Sequence, residues 1–227
     1  MKQNISRLAV VITLVTTCMG VHAAQDANIA VTATVKPAAC DITLSNGGVF
    51  DYGNIFVGEL SATTYKVLPE KQIDFSISCN AATRIGLQFT DSNLDSRVLR
   101  TSNSTDARIF DGANHALAGL GLNVDKKIGG YGVRIVNPGM TVDGNAAPSL
   151  FVNGGGAWVA GITGAMINNA SIRTVSWAPT GQLTPVAGKL FAGKVGVQAV
   201  LNKSGDIGNV KDTITLDGKG TLTIVYL

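Results

Sequence analysis

Histidine is nearly missing from this 227-residue chain, occurring only as His22 and His115. A serine or cysteine nucleophile wants a histidine base. His115 stands in a polar, glycine-flanked stretch, and no Gly-x-Ser-x-Gly elbow occurs anywhere in the chain. Aromatic residues make up 6 % of the sequence, few to spare for a sugar-stacking cleft, and charged residues 15 %. Lys126-Lys127 is the only adjacent basic pair. That is no clustered basic face, so neither nucleic acid nor an anionic membrane surface is indicated. Asp91, Asp95, Asp106 and Asp111 match no calcium loop, and no carboxylate pair is singled out for glycoside hydrolysis. The glycine runs Gly119-Leu120-Gly121, Gly129-Gly130-Tyr131-Gly132 and Gly154-Gly155-Gly156 lack the Gly-Lys-Ser/Thr of a phosphate loop; tight turns and bulges account for them. The chain is therefore expected to be no enzyme and to use neither metal nor cofactor.

Long apolar runs are missing as well. The longest, Leu8–Val15, falls short of the roughly 20 residues that a spanning helix requires. With Lys2 and Arg7 before it and Val21-His22-Ala23 after it, it reads as a secretory signal over residues 1–23, making Ala24 the first mature residue. Thr16 and Thr17 argue against acylation of Cys18. No later stretch would anchor the chain in a membrane. The signal holds two of the 18 basic residues and none of the 15 acidic ones, so the mature chain carries +1. It retains Cys40 and Cys79, an even pair in an oxidising compartment, read as a disulfide.

What is present is short-strand patterning. Ala27, Ile29, Val31, Ala33 and Val35 share one parity, with Asn28, Ala30, Thr32 and Thr34 on the other. No hairpin turn follows, and Lys36-Pro37 ends the run, because proline cannot donate to a ladder. The partner of this strand is distant or on another molecule. Ile73, Phe75, Ile77 and Cys79 alternate, then Ile85, Leu87 and Phe89, with a turn expected over Cys79-Asn80-Ala81-Ala82. Val133 and Ile135 begin another strand, ended by Asn137-Pro138-Gly139, and Val195, Val197 and Ala199 alternate with Lys194, Gly196 and Gln198. The glycine-rich stretch from about Gly112 to Gly164 reads as an insertion, a short helix is expected over Ala165–Ala170, and Trp158 and Trp177 as packing residues. At the C-terminus Ile214 and Leu216, then Leu222, Ile224 and Tyr226, form an apolar row reaching almost to Leu227, in which the Tyr226 ring is expected to be buried. The class is all-β.

An ordered set of motifs carries a resemblance: Ile29-Ala30-Val31-Thr32-Ala33-Thr34-Val35, Pro37-Ala38-Ala39-Cys40, Gly47-Gly48-Val49-Phe50-Asp51-Tyr52-Gly53-Asn54-Ile55, Cys79 after an alternating strand, and penultimate Tyr226. Together they resemble the pilins of bacterial chaperone–usher fimbriae, in the beta-fimbrial branch often described only as a domain of unknown function. The resemblance implies an immunoglobulin-like β-sandwich over 37–227 that lacks its last strand and is completed by donor-strand complementation. Residues 24–36 would then be a donor segment inserting Ile29, Val31, Ala33 and Val35 into a neighbour, with Ala33 where many pilins have glycine. Cys40 and Cys79 match the family disulfide. Leu222, Ile224 and Tyr226 match the acceptor-groove strand, with the Leu227 carboxylate as the chaperone's anchor. The implied partners are a periplasmic pilus chaperone, an outer-membrane usher and neighbouring fimbrial subunits. The implied role is that of a structural or adaptor subunit on the cell surface, contributing to adhesion, because the donor strand stands directly after the signal. A self-complemented soluble periplasmic protein of the same fold and a secreted carbohydrate-binding sandwich are the alternatives.

Overall fold

The computed structural model describes residues 33–34, 36–98, 107–110, 116–161, 163–167, 171–208 and 213–227. The chain divides into two units, 1–36 and 37–227. Of the first, Ala33, Thr34 and Lys36 are described, exposed and without regular structure. The signal segment and the donor residues Ile29, Val31 and Val35 lie outside the described residues.

The second unit is all-β. Its strands are, in order, β1 (Cys40–Leu44), β2 (Lys66–Val67), β3 (Lys71–Thr83), β4 (Ile85–Asp91), β5 (Ala118–Gly119), β6 (Leu122–Asn123), β7 (Lys126–Lys127) and β8 (Gly129–Ile135). They continue with β9 (Thr141–Val142), β10 (Asn145–Ala146), β11 (Ser149–Asn153), β12 (Val159–Ala160), β13 (Arg173–Trp177), β14 (Gly188–Leu201) and β15 (Gly220–Tyr226). One α-helix, Ser204–Ile207, is seen among the described residues. The first sheet runs β1-β3-β14-β8-β5, with β2 and β9 also on β14 and β10 on β9; the second runs β12-β11-β13-β4-β15. All named pairings are antiparallel, and β6–β7 forms a separate hairpin.

The two sheets face each other across one core. Phe75, Ile77, Val133, Ile135, Val195 and Phe191 from the first meet Ile85, Leu87, Val175 and Trp177 from the second. Period-two alternation delivers these rows to one face, as the sequence pattern requires. The Trp177 ring lies 5.1 Å from Phe191 and 6.2 Å from Phe75 between centroids. Cys40 sits directly opposite Cys79, and the disulfide joins β1 to β3.

Four expectations are corrected. Cys79-Asn80-Ala81-Ala82 does not turn: β3 continues to Thr83, held by Asn80, whose amide and side chain both bond Ala39, and the chain crosses to the other sheet at Arg84. The glycine-rich middle is not an appendage, because it supplies β8, buried along its whole length beside β14. Gly130 and Gly132 serve neither turn nor bulge. A Cβ on Gly132 would stand 2.2 Å from Ile109 Cδ1, and one on Gly130 2.9 Å from Leu117, so these glycines admit a second apolar cluster onto the outer face of the first sheet. Arg134 on that face pairs both oxygens of Glu70 at 2.8 and 2.6 Å and stacks 5.0 Å from the Phe110 ring. Finally, residues 165–167 are extended rather than helical: Ala165 bridges to Arg134, and the Met166 amide donates to the Val133 carbonyl. Residues 168–170 lie outside the described residues. Trp177 is fully buried and Trp158 half-buried.

Candidate functional site

The edges β1 and β15 bound an inter-sheet cleft of about 1440 Å³. Its floor is apolar, built from Phe89 of β4, Tyr131 and Val133 of β8, and Val195, Val197 and Ala199 of β14. These are the same inward rows that make the closed core, continued to the open end of the inter-sheet space, where Phe89 is only half-buried. Alternation therefore placed the floor. The walls are a different matter.

One wall begins where β1 ends. Asn46 and Gly47 hold φ of 51° and 58°, a left-handed pair that asparagine and glycine tolerate, and the chain leaves the β1–β3 ladder there. The Ser45 hydroxyl accepts the Asp74 amide released by this departure. Residues 49–56 then run along the cleft outside both sheets. The main-chain amides of Phe50, Tyr52, Asn54 and Ile55 have no hydrogen-bond partner among the described residues. Side chains pin the segment instead. The Tyr52 hydroxyl donates to the Val197 carbonyl at 2.9 Å, Asp51 accepts the Gly53 amide at 2.7 Å, and Glu59, paired with Lys66 at 2.9 Å, accepts the Phe56 amide. Burial pushes the Tyr52 phenol up to about 12.

The opposite wall is residues 213–216 with Gly218, Gly220 and Leu222. The expected alternation of Ile214 and Leu216 does not form a strand; both side chains still pack against the core. The Asp217 amide donates to Leu120, the Asn93 side chain donates to the Asp217 carbonyl, and the Ser92 amide donates to Lys219. Gly218 and Gly220 lie flat on the aromatic floor: an added Cβ would stand 2.8 Å from the Tyr131 ring and 2.2 Å from the Phe89 ring, respectively. The amides of Ile214, Thr215 and Leu216 have no partner among the described residues. Lys219, hydrogen-bonded to Asp217, holds that carboxyl below its ordinary range.

The residues expected in the groove strand divide along β15. Leu222 lines the cleft, and Ile224 packs half-buried against the core. Tyr226 does not line it and is 53 % exposed; its hydroxyl accepts the Cys40 amide at 3.0 Å, tying the end of β15 to the start of β1. The buried ring expected there is not found: Tyr226 stands beside the first residue of β1, away from the end of β1 where the cleft opens. Leu227 is half exposed, its amide donating to the Arg84 carbonyl. Sequence reasoning missed the floor aromatics Phe89 and Tyr131 as site residues. The wall 49–56 had a visible signal in Asn46-Gly47, a strong turn pair.

The model of a family described as a protein of unknown function, DUF1120, matches residues 29–143. The chain is 26 % identical over 226 aligned residues to the uncharacterized protein YhcF of Escherichia coli K12, covering 92 % of this chain and 94 % of that protein. It is 25 % identical over 261 aligned residues to the protein GltF of the same organism, covering 100 % of this chain and 99 % of GltF. With the match spanning just over half of its residues, from the segment before β1 through β9, the chain belongs to the DUF1120 family.

Proposed function

We propose that this chain is a structural or adaptor subunit of a chaperone–usher fimbria, exported through the periplasm and carried on the cell surface, where it contributes to adhesion. The cleft takes up an extended strand, first from a periplasmic chaperone and then from the N-terminal segment of the neighbouring subunit. The chain's own Ile29, Val31, Ala33 and Val35 serve the next subunit in turn. The outer-membrane usher is where that exchange takes place. No catalysis is part of this role.

The observation that carries the reading is the pairing of an apolar floor with two walls that hold main-chain amides without a partner among the described residues, those of Phe50, Tyr52, Asn54 and Ile55 on one side and of Ile214, Thr215 and Leu216 on the other. Unpaired strand edges are sites for strand addition, in which main-chain bonds give affinity and alternate side-chain pockets give specificity. An inserted strand would bond both walls and bury Phe89 with one apolar row. The segment from Ala27 to Val35 has such a row.

The test is assembly with the cognate chaperone and usher co-expressed. Deleting Ala24–Val35 is expected to leave chaperone capture intact and to abolish the ladder of subunits in sheared cell-surface material. A ladder of wild-type length from the deletion would overturn the donor assignment. Replacing Leu222 by Asp, which puts a charge into the cleft, is expected to abolish co-purification with the chaperone; undiminished recovery would exclude the cleft as the acceptor.

A further inference from the structure

Tyr131 lies in the floor of the cleft, beside Ala199 of β14 and edge-on to Phe89 of the opposite sheet, with ring centroids 6.2 Å apart at 82°. The residue is 7 % exposed, yet its hydroxyl has no hydrogen-bond partner among the described residues. Two other tyrosines near the cleft differ: Tyr52 donates to the Val197 carbonyl, and Tyr226 accepts the Cys40 amide. The nearby carboxylate of Asp91 is engaged elsewhere, its two oxygens accepting the amides of Asn93 at 2.9 Å and Gly119 at 2.8 Å. Burial, with the charge of Asp91 adding to it, raises the phenol well above its ordinary value, so it stays neutral and retains its proton for donation. Among the described residues the one fully buried side-chain polar atom without a partner is Trp177 Nε1, so the Tyr131 hydroxyl still reaches the solvent of the cleft and would lose that contact, and need a partner, once a strand covers the floor. That hydroxyl belongs to a surface that is otherwise apolar and shaped for an extended segment.

We infer that Tyr131 is a specificity residue of the cleft, and that the strand it prefers carries a hydroxyl or carboxamide side chain, from Ser, Thr or Asn, in its inserted row. This rests on the reading of the cleft as a strand acceptor. It also says which strand fits worse. The inserted row of the chain's own N-terminal segment is Ile29, Val31, Ala33 and Val35, wholly apolar, and it would bury the Tyr131 hydroxyl unpaired. The preferred occupant is therefore a strand of a different protein, not a second copy of this chain.

A hydroxyl scan of the donor peptide tests this. Fluorescently labelled peptides spanning residues 24–36, unmodified or carrying Ile29→Thr, Val31→Thr, Ala33→Ser or Val35→Thr, are titrated against the chain beginning at Ala24, and binding is followed by anisotropy. At the register that meets Tyr131, one hydroxyl peptide is expected to bind about tenfold tighter than the unmodified one. In Tyr131→Phe, which removes only the hydroxyl, the unmodified peptide is expected to bind tighter, because no hydroxyl is left unpaired, and the gain from the hydroxyl peptide falls below about twofold. Equal affinity of all five peptides for the wild-type chain overturns the inference without needing the variant. So does a gain that survives in Tyr131→Phe. If none of the peptides binds at all, the strand-acceptor reading falls with it; if the unmodified peptide binds and the hydroxyls change nothing, only the role of Tyr131 falls.

Discussion

The two halves of the space between the sheets are lined by the same kinds of side chain and end differently. In one half Trp177, Phe191 and Phe75 are sealed at 3 % exposure or less, because β13, β14 and β3 carry ladder partners on both sides. In the other, Val195 and Val197 continue the same inward rows and stay buried, but Phe89 on the opposite sheet is only half-buried, because the flanking segments 49–56 and 213–219 have left the ladders and the space stays open as a cleft. The difference is one of backbone pairing rather than of apolar content. An apolar row makes a core when both neighbouring edges are paired, and a binding surface when they are not.

Truncations should separate the halves. Phe191→Ala, at 0 % exposure in contact with Trp177, is expected to cost about 3–5 kcal/mol in denaturant unfolding, near the whole margin of many domains. Cys40→Ser or Cys79→Ser, which opens the loop between positions 39 residues apart, should cost about 2–5 kcal/mol, and non-reducing mass spectrometry should find both thiols bonded in the parent chain. Phe89→Ala, half-buried at the cleft, should cost only about 1–2 kcal/mol. A value for Phe89 equal to that for Phe191 would break the comparison, since it would mean that the cleft half is as tightly closed as the other.

The smallest effect is a pH dependence of the wall at Tyr52. Its phenol is raised from its ordinary value of 10 to about 12 in the folded chain, chiefly by burial. Folding therefore favours the protonated form. That contribution is fully present below pH 10 and is lost as pH rises through about 12. Tyr52→Phe should flatten stability against pH across this window, at the cost of the bond to Val197. An unchanged slope in Tyr52→Phe would assign the alkaline loss to another group.

Much of the fold is legible residue by residue. Ile73, Phe75, Ile77 and Cys79 alternate in the chain and share the core face of β3, and Val195, Val197 and Ala199 do the same on β14, because a strand's side chains alternate whatever surrounds it. The candidate site is legible only in part. Leu222 was marked by parity and does line the cleft, whereas Tyr226 has the same parity and does not, because the cleft's extent depends on how far β1 reaches on the other sheet.

The sequence by itself determined the all-β class, the inward rows and the two cysteines available to each other, since these follow from local periodicity and composition. Tertiary structure alone decided that the glycines of β8 face a second apolar cluster, that the chain departs from β1 at Asn46-Gly47 to wall a cleft, and that Phe89 and Tyr131 meet beneath Gly218 and Gly220. Each of these is a contact between residues distant in the chain. Such contacts are set by which strands become edges and how closely two backbones approach, and a period of two along one strand carries no record of either.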